Sequence, residues 1–244
     1  MMVRIAVLAA MALLEYGQET PRLLDREKAQ TNYSFPIRPG GSPFRFRVEL
    51  DQTMTITGVS VFRSPETSPF QTLPMCTGIS EQLYPDDERR ELLEHADLNF
   101  DGFEDLEILQ YYQTHLGTKV FCVYTWDNRA GRFRQAPEIP APNPIPHPEN
   151  RTITTHQDWM GGIYADSVYQ WTGARFVLME SSGRALNIGD TLCHFSDVCE
   201  KRVHGKMVIT LYRPVMCADS DGPDPPLECP TGTKPDPNAP KPVR

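Results

Sequence analysis

The segment Phe44–Leu50 (Phe-Arg-Phe-Arg-Val-Glu-Leu) alternates apolar and charged positions without a break. A two-residue period puts one face in a core and the other in water, which predicts a half-buried strand. Thr53–Phe62 follows, rich in β-branched residues, and is expected to pair with it. Further strands are predicted over Leu106–Tyr112, Lys119–Trp126, Arg151–Thr155 and Val203–Tyr212. The clearest hairpin pattern is Tyr164–Trp171 and Arg175–Glu180, joined by Thr172-Gly173-Ala174. One short helix is expected over Pro85–His95. Asp86 and Asp87 would lie at the positive end of its dipole, with Leu92 and Leu93 as its buried residues. Pro65–Pro74 and the proline-rich Ala136–Asn150 read as connections. Many short strands with little helix define a mainly β chain, an antiparallel β-sandwich or barrel-like domain.

The termini depart from this pattern. Arg4 precedes an unbroken apolar run, Ile5–Leu14, of about ten residues, half of what a bilayer crossing needs. The expected organisation is therefore a signal peptide over 1–17, a linker over 18–41, a β domain over 42–213 and a Pro-rich tail over 214–244. Export to the periplasm or the medium follows, with no membrane span once the signal is removed. The net charge of −8 argues against nucleic acid, which calls for a basic face, and suits a cation or a basic partner.

Six cysteines in an exported chain point to disulfides: Cys76, Cys122, Cys193, Cys199, Cys217 and Cys229. Proximity along the chain favours Cys193–Cys199 and Cys217–Cys229, which leaves Cys76–Cys122, although spacing alone does not fix the pairing. Zinc is disfavoured because no CxxC pair is present.

The sharpest chemical signal is the stretch 97–105. Oxygen donors fall at every second position: Asp97, Asn99, Asp101, the backbone carbonyl of Phe103, and Asp105. A hard cation such as Ca2+ takes six to eight oxygens, and Gly102 permits the sharp turn that aims them inward. The pattern matches the first half of an EF-hand loop. Ile108 then stands where an EF-hand carries its bidentate glutamate, so Asp105 must close the shell, and Glu107 could contribute only if the backbone twisted. Magnesium is less suited because it demands a stricter octahedron. The ion expected here is structural, with no nucleophile or general base beside it in sequence. No nucleophile elbow, HExxH helix or phosphate-binding loop is present, and the six histidines are scattered. The expectation is a protein that is not an enzyme.

Taken with the acidic loop, the order of later features resembles a known family. Val123-Tyr124-Thr125-Trp126-Asp127 leads to Ala130-Gly131-Arg132-Phe133, then Arg151-Thr152-Ile153, Gly161-Gly162 and the run Tyr169–Leu178. This is similar to periplasmic calcium-binding immunity proteins of Xanthomonas-like bacteria, which are themselves similar to invertebrate-type lysozyme inhibitors. The resemblance spans 96–180. It implies an antiparallel β domain, a periplasmic location and binding to a lysozyme-like peptidoglycan hydrolase. Several lysozyme-inhibitor families plug the enzyme's cleft with a Ser-Gly-x-x-Tyr loop. The nearest match is Met160-Gly161-Gly162-Ile163-Tyr164, where Gly161 and Tyr164 fit and Met160 replaces serine. Tyr164 is then either a partner-binding anchor or the first residue of a strand packed in the core. A calcium-stabilised structural or adhesive envelope module without inhibitory activity is the alternative.

Overall fold

The computed structural model describes residues 29–77, 91–113, 118–140, 142–159, 163–186, 193–217 and 227–239. These form three antiparallel sheets and no closed barrel. The first sheet comprises β1 (Asn32–Pro36), β2 (Pro43–Leu50), β3 (Ile56–Arg63) and β4 (Gln71–Pro74) in sequential order. The second comprises β5 (Leu93–Ala96), β6 (Asp105–Gln113), β7 (Thr118–Asp127) and β8 (Arg132–Gln135). The third comprises β9 (Ile145–His147), β10 (Thr152–Trp159), β11 (Ile163–Trp171), β12 (Phe176–Leu186), β13 (Cys193–Val203) and β14 (Lys206–Cys217), with β9 and β14 at its edges.

The alternation in β2 acts as its pattern requires. Phe46, Val48 and Leu50 are buried. On the other side Arg45 and Arg47 place their guanidinium groups over the ring of Phe62 on β3, each 5.5 Å from its centroid. A planar cation over an aromatic face covers that ring while keeping its own charge wet. The first two sheets pack face to face around an aromatic core. Phe35 stacks on Phe46 at 4.3 Å, and Phe133 meets Phe46 and Trp126 edge-on at 6.1 and 5.1 Å. Gln71 secures the interface like a short strand: its Nε2 donates to the Phe133 carbonyl (2.8 Å) and its Oε1 accepts from the Phe133 amide (2.9 Å).

Several sequence expectations change. Among the described residues there is no helix. Leu93–His95, the C-terminal end of the expected helix, lies in strand β5, while 85–90 lies outside the described residues. Pairing with β6, Leu93 opposite Ile108 and Ala96 opposite Asp105, satisfies its backbone and overrides local preference. The stretch 18–41 contains β1, whose Phe35 belongs to the core. Cys76–Cys122 is formed, bridging the two packed sheets. Cys199 bonds Cys229, so neither Cys193–Cys199 nor Cys217–Cys229 exists. Cys193 instead lies opposite Cys217 in the register of β13 and β14. Chain proximity failed because the path of the folded chain decides which cysteine Cα atoms come within bridging distance, and the tail brings Cys229 back to 5.7 Å from Cys199.

Candidate metal centre

The acidic stretch is the turn of the β5–β6 hairpin, entered after Ala96 and left at Asp105. Two residues adopt left-handed backbone, Phe100 (φ 59°) and Gly102 (φ 87°). Gly102 does so without penalty; Phe100 must be held there by its surroundings. Its ring packs edge-on against Phe176 of β12, 6.3 Å away, and Phe176 in turn meets Trp171 at 4.9 Å.

The polar side chains of the loop fold inward onto its own amides. Asp97 accepts from the amides of Asp101 (3.0 Å) and Gly102 (2.8 Å), and Asn99 Oδ1 also accepts from Asp101 (3.1 Å). Asp101 accepts from the amide of Phe103 (3.0 Å). Asp105 is the hub. Its Oδ2 accepts from the amides of Leu98 (3.0 Å) and Asn99 (3.3 Å), and its Oδ1 from the amide of Trp126 on β7 (2.9 Å). The side chain is fully buried. Burial pushes its pKa up to about 8. The Trp126 and Leu98 amides oppose the rise, while the charges of Asp101 and Asp97 add to it. Asp101 is raised too, chiefly by desolvation.

Among the described residues no three or more His, Cys, Asp or Glu side chains converge as a formed metal site. The residues nevertheless fit a hard cation in their chemistry. The donors are all oxygens, and a carboxylate oxygen that accepts one amide bond keeps lone-pair capacity for a second partner. Above all, Asp105 is a dry carboxylate pressed by two others, an arrangement that a cation relieves. Glu107, 4% exposed, lies two residues along β6 from Asp105, on the same side of the strand. Its pKa is also raised to about 8, by burial first and then by Glu94; Lys119, which pairs with Glu94, opposes the rise.

Of the partner-binding residues, Gly161 lies outside the described residues. Tyr164 sits near the start of β11, half-buried, opposite Arg184 of β12. It lines a groove of about 570 Å³ with Ile163, Arg184 and Val198. Gly183 makes that spot possible, since a Cβ there would come within 2.1 Å of the Tyr164 carbonyl oxygen.

Two clusters escaped the sequence reading. His156 on β10 is held at both ring nitrogens, Nδ1 by Asp166 of β11 (2.7 Å) and Nε2 by Asp158 (2.8 Å). The Asp166 bond, ahead of Asp158 and against desolvation, raises its pKa. The His156/Asp158 spacing on one strand face was readable; Asp166 required the hairpin register. The second cluster is Asp197 on β13, fully buried between Arg184 (Nε, 2.8 Å) and Arg213 of β14. Desolvation works against its charge, but the two guanidinium groups prevail and hold the carboxyl below its ordinary range.

No family model matches the chain, and no curated protein is similar to it at a significant level. One solved structure, described as that of a Xanthomonas type IV secretion system related protein, is weakly similar. Its TM-score is 0.43 at 14% identity, over 73% of this chain and 92% of that one. A likeness of that strength establishes no shared fold. No comparison places the chain among lysozyme inhibitors.

Proposed function

We propose that this chain is an exported, calcium-stabilised binding protein, and that the partner it inhibits is a lysozyme-like peptidoglycan hydrolase. The observation that carries the calcium reading is Asp105, a buried carboxylate at the foot of an all-oxygen loop with Asp97 and Asp101 adding negative charge. Asp97, Asn99, Asp101, the Phe103 carbonyl and Asp105 are the proposed ligands. A bound ion neutralises Asp105 without stripping it of its amides and fixes the hairpin turn. The role is structural: holding the turn in one conformation lowers the ordering cost of any association that uses the neighbouring surface. Support for the partner comes from the sequence resemblance, and from Tyr164 standing with part of its ring exposed beside a groove, where an aromatic anchor is useful. The export reading is supported by two disulfides, bonds that persist in oxidising compartments.

Thermal unfolding with calcium and with chelator tests the first half. Calcium at a hundred times its dissociation constant is expected to stabilise the wild type by about 2.7 kcal/mol. Asp101→Ala is expected to abolish that gain, whereas equal midpoints in calcium and chelator for the wild type refute the site. The second half is tested by adding purified protein to peptidoglycan digestions by lysozyme-like hydrolases. Inhibition that weakens in Tyr164→Ala is the expected result. A folded, calcium-loaded protein that binds no such enzyme would favour the structural or adhesive module instead.

A further inference from the structure

The six-stranded sheet ends in β14, and the chain's own tail bonds its outer edge at Asp236. The backbone amide of Asp236 donates to the Ile209 carbonyl (2.9 Å), and Asp236 Oδ2 accepts from the Tyr212 amide (2.6 Å). One residue thus meets a carbonyl and an amide on the edge, its carboxylate standing in for the backbone carbonyl of a neighbouring strand, on either side of the register shift at Thr210. It does not continue as a strand, because Pro235 and Pro237 flank it and bring no N–H. The carboxylate is fixed from behind: its Oδ1 accepts from the Asn238 amide (2.8 Å), and the Ala239 amide closes a turn on the Asp236 carbonyl (3.2 Å). Further back the same segment is bonded covalently to the sheet through Cys229–Cys199, on the strand next to β14.

The strand around this contact has a particular composition. Met207-Val208-Ile209-Thr210-Leu211-Tyr212 is six residues without a charge, proline or glycine, rich in β-branched side chains. Such a segment on an open edge pairs readily with an identical one. Pro214 ends the run, since its missing N–H falls on the same side of the strand as the Tyr212 amide bonded by the tail. An antiparallel pair of identical strands is also self-complementary about a two-fold axis. We propose that the segment Leu227–Ala239 is a tethered cap on β14, and that with the cap displaced Met207–Tyr212 pairs with the same run of a second copy of this chain.

The test uses the full chain. In Asp236→Ala the Tyr212 amide is expected to exchange its hydrogen about five- to tenfold faster, the factor for one bond of about 1–1.4 kcal/mol. Asp236→Asn keeps the backbone amide and one acceptor oxygen but loses the second, which holds the Asn238 amide, and is expected to exchange between the wild type and Asp236→Ala. Cys199→Ser/Cys229→Ser/Asp236→Ala is expected to sediment as a concentration-dependent dimer under conditions where the wild type is a monomer. Adding Ile209→Lys to that variant places a charge on the edge and is expected to restore the monomer. The proposal is overturned if the triple variant stays monomeric, or if its association survives Ile209→Lys, which would trace the association to general misfolding.

Discussion

Asp105→Ala is expected to destabilise the protein by about 2–6 kcal/mol, because the amides of Leu98 and Trp126 lose their acceptor in the interior at about 1–3 kcal/mol each. The loss arises from hydrogen bonding and is expected in chelator as well as in calcium. Asp101→Ala behaves differently. Its carboxylate serves an exposed turn, so in chelator the variant is expected to unfold near the wild type, and the calcium response alone is lost. Chemical denaturation of both variants, each with calcium and with chelator, separates the framework role of Asp105 from the ligand role proposed for both aspartates. A chelator-phase loss below 1 kcal/mol for Asp105→Ala would mean the turn re-forms around another acceptor, and Asp105 would no longer be its hub.

An effect of similar size is expected at Asp197. Removing one partner from a buried ion pair costs about 3–5 kcal/mol, since the remaining charges stay desolvated. Here Asp197→Ala takes the shared carboxylate from Arg184 and Arg213 and so loosens three adjacent strands, β12, β13 and β14. The pH dependence follows from the sign of the shift. A carboxyl whose pKa is lower folded than unfolded contributes stability above its unfolded value, about 3.9, and loses it as pH falls through the folded value. The difference in stability between wild type and Asp197→Ala is therefore expected to be full near neutrality and to shrink in acid below about pH 4. A difference that stays constant into strong acid would show that packing, not charge, is what the substitution removes.

The parts of the fold legible in the sequence are those where one strand face meets the core and the other meets water. Phe44–Leu50 announces β2 because Phe46, Val48 and Leu50 alternate with charges that stay outside. The calcium-type pattern at 97–105 is legible as a turn for a similar reason: a local motif sets its own backbone, and Gly102 takes the left-handed conformation that such a turn needs. Strand β13 was not legible. Asp197, Glu200, Lys201 and Arg202 make it look solvated, and only its neighbours, an arginine on each side, show why a carboxylate can be buried there. The expected helix failed on the same ground. Leu92 and Leu93 suit either a helix or a strand, and the choice is made by β6, a partner outside the local window. Asp236 carried no sequence signal at all, being one aspartate among many prolines; its role depends on which strand lies at the sheet edge.

The Cys76–Cys122 bond has a topological effect on the proposed ion loop. It joins residues 46 positions apart and encloses within one covalent ring both strands of the β5–β6 hairpin and the acidic turn between them. Closing a ring of that size restricts the unfolded chain by about 4 kcal/mol in the chain-entropy account. The strands of the hairpin therefore search a smaller space for each other when they separate than they would on an open chain. Loss of the proposed ion would then open the acidic turn inside a ring that stays closed, so that β5 and β6 pair again from a shorter search.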